Sequence, residues 1–227
     1  YIDNRLGAGG SFYDVEIDLG SGGNASFRSV SSPPNIYIDN DFTVNANAVA
    51  GVQNNVAAAL VVSGLAVISG SFDARGNVMD ESYDPDMTFG ALDIGTAGTF
   101  IAPDQTTTMA VPFGFNSNSG NCWDLKSGGT FTHNDGTVNF QAAEPVAASI
   151  SLRINPHTGS FYDMEVEVPE GRWIYLESST DLLVDNDLTI KTPPDGGGTG
   201  SLGRWSTATQ ALVVDGITTI ESQGQIK

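Results

Sequence analysis

Positive charge is what this sequence has least of. Nine Lys and Arg stand against 27 Asp and Glu, a formal net charge of -18 over 227 residues. A surface so acidic repels phosphate backbones and anionic headgroups, which excludes nucleic acid and anionic membrane surfaces as partners. Sulfur is nearly missing as well. The single cysteine, Cys122, can form no intrachain disulfide and no structural zinc site, and beside Trp123 it reads as a small buried hydrophobe. The two histidines, His133 and His157, show no metal-ligand spacing and read as turn residues. No Gly-x-Ser-x-Gly elbow, phosphate-binding loop or dinucleotide fingerprint occurs. The most apolar run, Val56 to Gly70, is interrupted by Ser63, Gly64 and Ser69. It falls short of the roughly 18 to 20 apolar residues of a membrane span, so no membrane insertion is expected. No methionine opens the chain and no signal peptide is visible, the pattern of a mature or excised segment.

What is present is order with hardly a convincing helix. Hydrophobic content of 40% with 27 Gly and 10 Pro describes a turn-rich chain able to bury a core, not a disordered one. The main feature is an internal duplication. Gly10-Ser11-Phe12-Tyr13-Asp14-Val15-Glu16-Ile17 returns as Gly159-Ser160-Phe161-Tyr162-Asp163-Met164-Glu165-Val166. Ile36 to Val44 returns as Leu182 to Ile190, each around an Asp-Asn-Asp core, and Ala59 to Gly64 returns as Ala211 to Gly216. Three matched segments in one order, about 150 residues apart, define a first copy over 1–148 and a second, shortened copy over 149–227.

Period-two alternation predicts strands. It places Tyr13, Val15, Ile17 and Leu19 inward in the first copy, and Tyr162, Met164, Val166 and Val168 inward in the second. Short strands are also expected near 25–30, 36–44, 60–62, 66–68, 70–73, 92–94, 99–101, 107–111, 130–132, 137–140, 149–154, 172–177, 182–190, 212–214 and 218–220. Val52 to Leu60 has a composition that would suit a short helix. Asn40 and Asn186 fall in an inward register, but the Asp-Asn-Asp cores read more simply as bends with side chains in water.

Strands of three to six residues with frequent small turns favour a right-handed parallel β-solenoid, one continuous coil spanning both copies. Two tandem β-sandwich domains, joined near residues 141 to 150, are the alternative. The phrases Gly129 to Phe140 (Gly-Thr-Phe-Thr-His-Asn-Asp-Gly-Thr-Val-Asn-Phe), Ser160 to Val166 and Asp187 to Ile190 resemble repeats of large secreted and cell-surface proteins of bacteria and archaea. That resemblance implies a right-handed β-helix serving as a surface stalk or adhesin segment.

Carboxylates are the only plentiful reactive groups. Asp39/Asp41 and Asp185/Asp187 repeat with the duplication, which marks them as structural. Asp80, Glu81, Asp84 and Asp86 form the one oxygen-rich loop suited to Ca²⁺, a hard cation that takes six to eight oxygens, although a solvated loop is the simpler reading. Trp123, Trp173 and Trp205 are candidates for sugar stacking against the simpler reading of core or end-cap residues. The expected function is therefore structural: an extracellular stalk, adhesin or filament segment with no catalytic activity. A coil cut inside a repeat exposes strand edges, so head-to-tail self-association or contact with neighbouring repeats is expected. A glycan-binding or polysaccharide-cleaving β-helix protein is the alternative.

Overall fold

The computed structural model of the chain describes residues 2–4, 10–20, 23–29, 35–53, 59–75, 85–111, 121–142, 151–167, 173–176, 180–191, 200–204, 210–222 and 224–226. Among these residues there are strands, turns and bends but no helix, and every strand pair is parallel. Parallel strands need a crossover between them. Here the crossover is the rest of a coil turn, so the chain winds as a β-solenoid. Tandem sandwiches, which are built from antiparallel sheets, do not describe it.

The coil has three faces. Face one stacks β2 (Ser11–Phe12), β5 (Ile36–Ile38), the first half of β8 (Leu60–Ile68), the first half of β10 (Met87–Ile94), β12 (Thr106–Val111), β15 (Thr137–Ala142), β18 (Asp163–Glu167), β21 (Leu188–Ile190) and β24 (Thr218–Ile220). Face two stacks β3 (Val15–Ile17), β6 (Phe42–Val44), the second halves of β8 and β10, β13 (Asn121–Leu125), β16 (Ser151–Asn155), β19 (Trp173–Leu176), β22 (Gly200–Arg204) and β25 (Gly224–Ile226). On face three lie β1 (Ile2–Asn4), β4 (Asn24–Ser29), β7 (Val49–Gln53), β9 (Ser71–Asp73), β11 (Thr99–Ile101) and β14 (Thr130–Thr132), followed by β17 (Ser160–Phe161), β20 (Leu182–Val184) and β23 (Leu212–Val214).

In-register parallel pairing turns alternation along each strand into columns across strands. On face one, successive partners place Phe12, Ile38, Val62, Phe89, Met109, Phe140, Val166, Ile190 and Ile220 in one inward file. On face three, Phe72 and Phe100 stack at 6.0 Å with rings 6° apart, and Phe100 stacks on Phe131 at 5.9 Å. Edge-on contacts from Phe42 to Phe72 and from Phe89 to Phe100 tie the faces together across a narrow interior. Offset and edge-to-face aromatic pairs add about 0.5–1.5 kcal/mol each beyond their buried area.

Strand pairing crosses from the first copy into the second without a change of sheet, through β15 with β18 and β13 with β16. Residues 143–150, where the two copies would be divided, lie outside the described part. Three local expectations need correction. Val52 lies in β7 and Leu60 opens β8, so both ends of the expected helix are strand, while 54–58 lie outside the described residues. Tyr13 is 71% exposed and Leu19 is 41% exposed, although Val15 is half-buried and Ile17 buried as expected. The cause is a coil corner at Tyr13–Asp14, which interrupts the pleat so that alternation does not run through it. In the second copy Met164 and Val166 are buried, Tyr162 is only half-buried at the equivalent corner, and Val168 lies outside the described residues.

Candidate functional site

Corners decide where the carboxylates go. At the corner between faces one and two, Asp14 Oδ1 accepts from Asn40 Nδ2 at 2.8 Å and from the Asp41 backbone N–H at 3.0 Å. One rung on, Asp41 Oδ1 accepts from the Leu65 backbone N–H at 2.9 Å, and the Gly64 N–H donates to Asn40 O. The second copy repeats this bond for bond. Asp163 Oδ1 accepts from Asn186 Nδ2 and the Asp187 N–H, Asp187 Oδ1 accepts from the Ile217 N–H, and the Gly216 N–H donates to Asn186 O. Ser11 Oγ donates to Asp39 Oδ2 in one copy and Ser160 Oγ to Asp185 Oδ2 in the other. The Asp-Asn-Asp cores are indeed bends, but Asn40 and Asn186 bond to the preceding rung's carboxylate. These acids are acceptors for corner amides, which in a solenoid have no neighbour within their own turn.

At each corner one oxygen of the carboxylate, Asp14 Oδ1, Asp41 Oδ1, Asp163 Oδ1 or Asp187 Oδ1, accepts from a corner donor. The second copy's corner has one addition. His133 Nδ1 accepts from the Asp135 N–H at 3.0 Å, which leaves the neutral ring's proton on Nε2, pointing at Asp185 Oδ2 3.2 Å away. Ser160 reaches the same oxygen, so the carboxylate lies between serine and histidine. A nucleophilic triad needs the histidine in the middle. This group orders the corner instead, with the His133 ring 5.5 Å from that of Tyr162. His157, in a turn with φ 48°, lends its carbonyl to Thr180 Oγ1.

A second polar group lies on the outer side of face two. Register brings Asp93 beside Asp124, and Asp124 beside Asn155. Lys126 Nζ pairs with Asp124 Oδ2 and lies 3.4 Å from Asp93 Oδ2, while Asn155 Nδ2 donates to Asp124 Oδ1 at 2.8 Å. Asp124 has a side chain only 5% exposed. Burial foremost pushes the Asp93 carboxyl above its usual range; Lys126 pulls it down and Asp124 pushes it further up. Lys126, opposed by its own burial, is nevertheless held high by the two acids. One cation serving two acids gives a closed ion pair with an amide cap, not an open site. Sequence patterning contains a signal for it: Asp93, Asp124 and Asn155 recur at 31-residue steps, the two acids six residues before Thr-Phe and the asparagine five residues before Ser-Phe.

Of the expected site residues, only Trp123 and Asp86 have described side chains. Trp123 is 1% exposed, with its ring edge-on to Phe131 at 4.7 Å and to Phe161 at 5.1 Å, so neither face is open to a sugar. Trp173 contributes backbone to β19, and its side chain lies outside what is described; Trp205 lies outside altogether. Of the acidic loop, Asp80, Glu81 and Asp84 lie outside the described residues. Asp86 is exposed, with Oδ1 accepting from the Thr106 N–H at 3.2 Å. No group of three His, Cys, Asp or Glu that could hold a metal occurs among the described residues.

The remaining feature is the upper end of the coil. The inward residues that are buried lower down become open here: Val184 is 1% exposed but Val214 only half-buried, and Ile190 is 0% exposed but Ile220 is 49% exposed. Ile217 and Ile226 are exposed at 68% and 40%. Comparison with protein-family models, curated proteins and solved structures finds no match to this chain.

Proposed function

We propose that the chain is a non-catalytic structural segment of an extracellular or cell-surface assembly, a stalk, adhesin arm or filament subunit extended by stacking coil upon coil. The observation that carries this reading is the unbroken coil, whose face-one file runs in register from Phe12 to Ile220 across both copies. A coil of this kind is lengthened by adding rungs to one continuous core, as stalks and fibres are. The resemblance to secreted surface repeats and the acidic, well-hydrated exterior support an extracellular setting. Asp14, Asp163 and Asp124 serve as structural acceptors, for corner amides in the first two cases and for Lys126 in the third. Calcium, if used, would be taken by the loop of Asp80, Glu81, Asp84 and Asp86, whose oxygens suit a hard cation.

Negative-stain electron microscopy of the purified protein, with calcium and with chelator, tests the reading. Filaments or long rods are expected, and their loss on chelation would place Ca²⁺ at the contacts. Small separate particles in both conditions would sink it, and a glycan-binding screen would then address the alternative.

A further inference from the structure

Faces one and two are laddered without interruption, from β2 to β24 and from β3 to β25, but face three is not. Its lower ladder runs from β1 to β14 and stops, and β17, β20 and β23 form a separate ladder above it. The bonds that enter each strand show the same break. Thr99 N–H donates to Gly70 O and Thr130 N–H to Gly98 O, both at 2.8 Å. Among the described residues the series does not continue to Ser160.

A change of corner causes the break. Below it, face three passes to face one through residues 102–105 and then 133–136. Above it, Tyr162 alone separates β17 from β18, and residues 185–187 make the next passage. The shorter corner ends β17 after Phe161 and turns the chain before a ladder with β14 can form.

Side chains cross where the ladder does not. Phe131 and Phe161 lie 5.8 Å apart but tilted by 54°, whereas the pairs below them stack within 17°. Trp123 reaches both rings from face two. Asp163 N–H meets Gly136 O only at 3.4 Å. His133 spans furthest. Its Nε2–H donates to Asp185 Oδ2 at 3.2 Å, the oxygen that Ser160 Oγ also reaches, and its ring lies 5.5 Å from that of Tyr162. The bond ties the turn that follows β14 to the corner that follows β20, across the interrupted joint. In the first copy the equivalent acid, Asp39, meets Ser11 where β2 and β5 are paired.

From these features we infer that face three between β14 and β17 is a seam that opens locally while faces one and two hold, and that His133 with Asp185 is its latch. Local opening begins where main-chain bonds are fewest. Bending of the coil is thereby concentrated at one rung, with the two continuous ladders as the hinge. A monomer hinges there in the same way as a filament.

Amide-resolved hydrogen exchange of the intact chain by NMR tests the seam. Thr130 and Thr99 are matched probes, because each N–H is bonded to the rung below in the same way. Thr99 lies in β11, paired on both sides, and Thr130 in β14, paired on one. Thr130 should exchange about tenfold faster than Thr99, and faster than the amides of β15, which is also paired on both sides. His133→Ala and Asp185→Ala should each speed Thr130 by a further factor of about ten or more, with no added effect when combined. Neither should change Thr99. His133→Gln, which keeps a side-chain N–H donor, should restore part of the protection. Asp39→Ala is the control and should leave Thr130 as it is. Thr130 exchanging in step with Thr99 overturns the seam. Fast exchange at Thr130 that neither alanine variant alters overturns the latch. Equal acceleration at Thr130, Thr99 and β15 in those variants marks global destabilisation and overturns both.

Discussion

Asp14 and Asp163 accept the same two hydrogen bonds from the same two residue types, yet they stand at different corners of the coil. Asp14 joins β2 on face one to β3 on face two; Asp163 opens β18 on face one just after β17 on face three. The duplication thus repeats a corner ladder and displaces it by one face, so it is not a whole-coil repeat. The physical unit is portable because all its bonds run between successive rungs at a bend.

Removing that acceptor measures the ladder. Asp163→Ala leaves the Asp187 N–H and the Asn186 amide without their partner, and charged hydrogen bonds of this kind contribute about 1.5–3 kcal/mol each. Chemical denaturation should show a loss of about 2–4 kcal/mol. Asp14→Ala, at a more exposed corner, should lose less.

Glycine at the corner is a steric requirement. A Cβ on Gly64 would sit against Asn40 O and 2.5 Å from Asp41 Oδ1. Gly64→Ala should destabilise by about 2–3 kcal/mol through forced displacement of backbone. Gly20→Ala is the control: φ is +61° but no atom lies within 4 Å, so only the left-handed backbone cost of about 1 kcal/mol remains.

Truncating the aromatic file should be costlier than either. Phe100 contacts Phe72, Phe89 and Phe131, and Phe100→Ala should lose about 3–5 kcal/mol in thermal or denaturant unfolding.

Two acids should respond to pH with opposite sign. Asp73 is opposed by burial, but hydrogen bonds and charge from Arg75 hold it below its usual value. Its contribution is present above the ordinary carboxylate pKa and is lost as pH falls through the lowered one. Asp93, raised by burial first, contributes stability when protonated and loses it as pH rises through its raised pKa. Melting curves at pH 7 should therefore show Asp73→Asn destabilised and Asp93→Asn stabilised. Both differences should shrink in strong acid, and equal effects at pH 3 and 7 would contradict the assignment.

Thiol chemistry checks the core directly. Cys122 lies buried with Sγ bonded to Arg153 O, and burial pushes its thiol up to about 12. A disulfide reagent at pH 8 should leave the native protein unlabelled and modify one thiol after unfolding.

The all-β class and the duplicated corners were legible in the sequence because each depends on local rules: alternation over a few residues, and Asp-Asn-Asp or Gly at a bend. The ion pair of Asp124 with Lys126 and Asp93 was not, since its members come together only through register between β10 and β13. Trp123 could be placed in the core or in a stacking platform from sequence, and the narrow interior shared by three faces put it among Phe131, Phe140 and Phe161. Tyr13 was misassigned because a corner resets the pleat.

By itself, the sequence determined an all-β chain of short strands with an acidic composition and a repeated bend, and it favoured a parallel coil over tandem sandwiches. Tertiary structure alone decided which face each strand occupies. Face assignment accumulates over every preceding corner and loop, and their lengths vary, so two nearly identical segments such as Ser11–Ile17 and Ser160–Val166 arrive one face apart. Local sequence fixes a bend; only the summed path of the chain fixes where around the coil that bend falls.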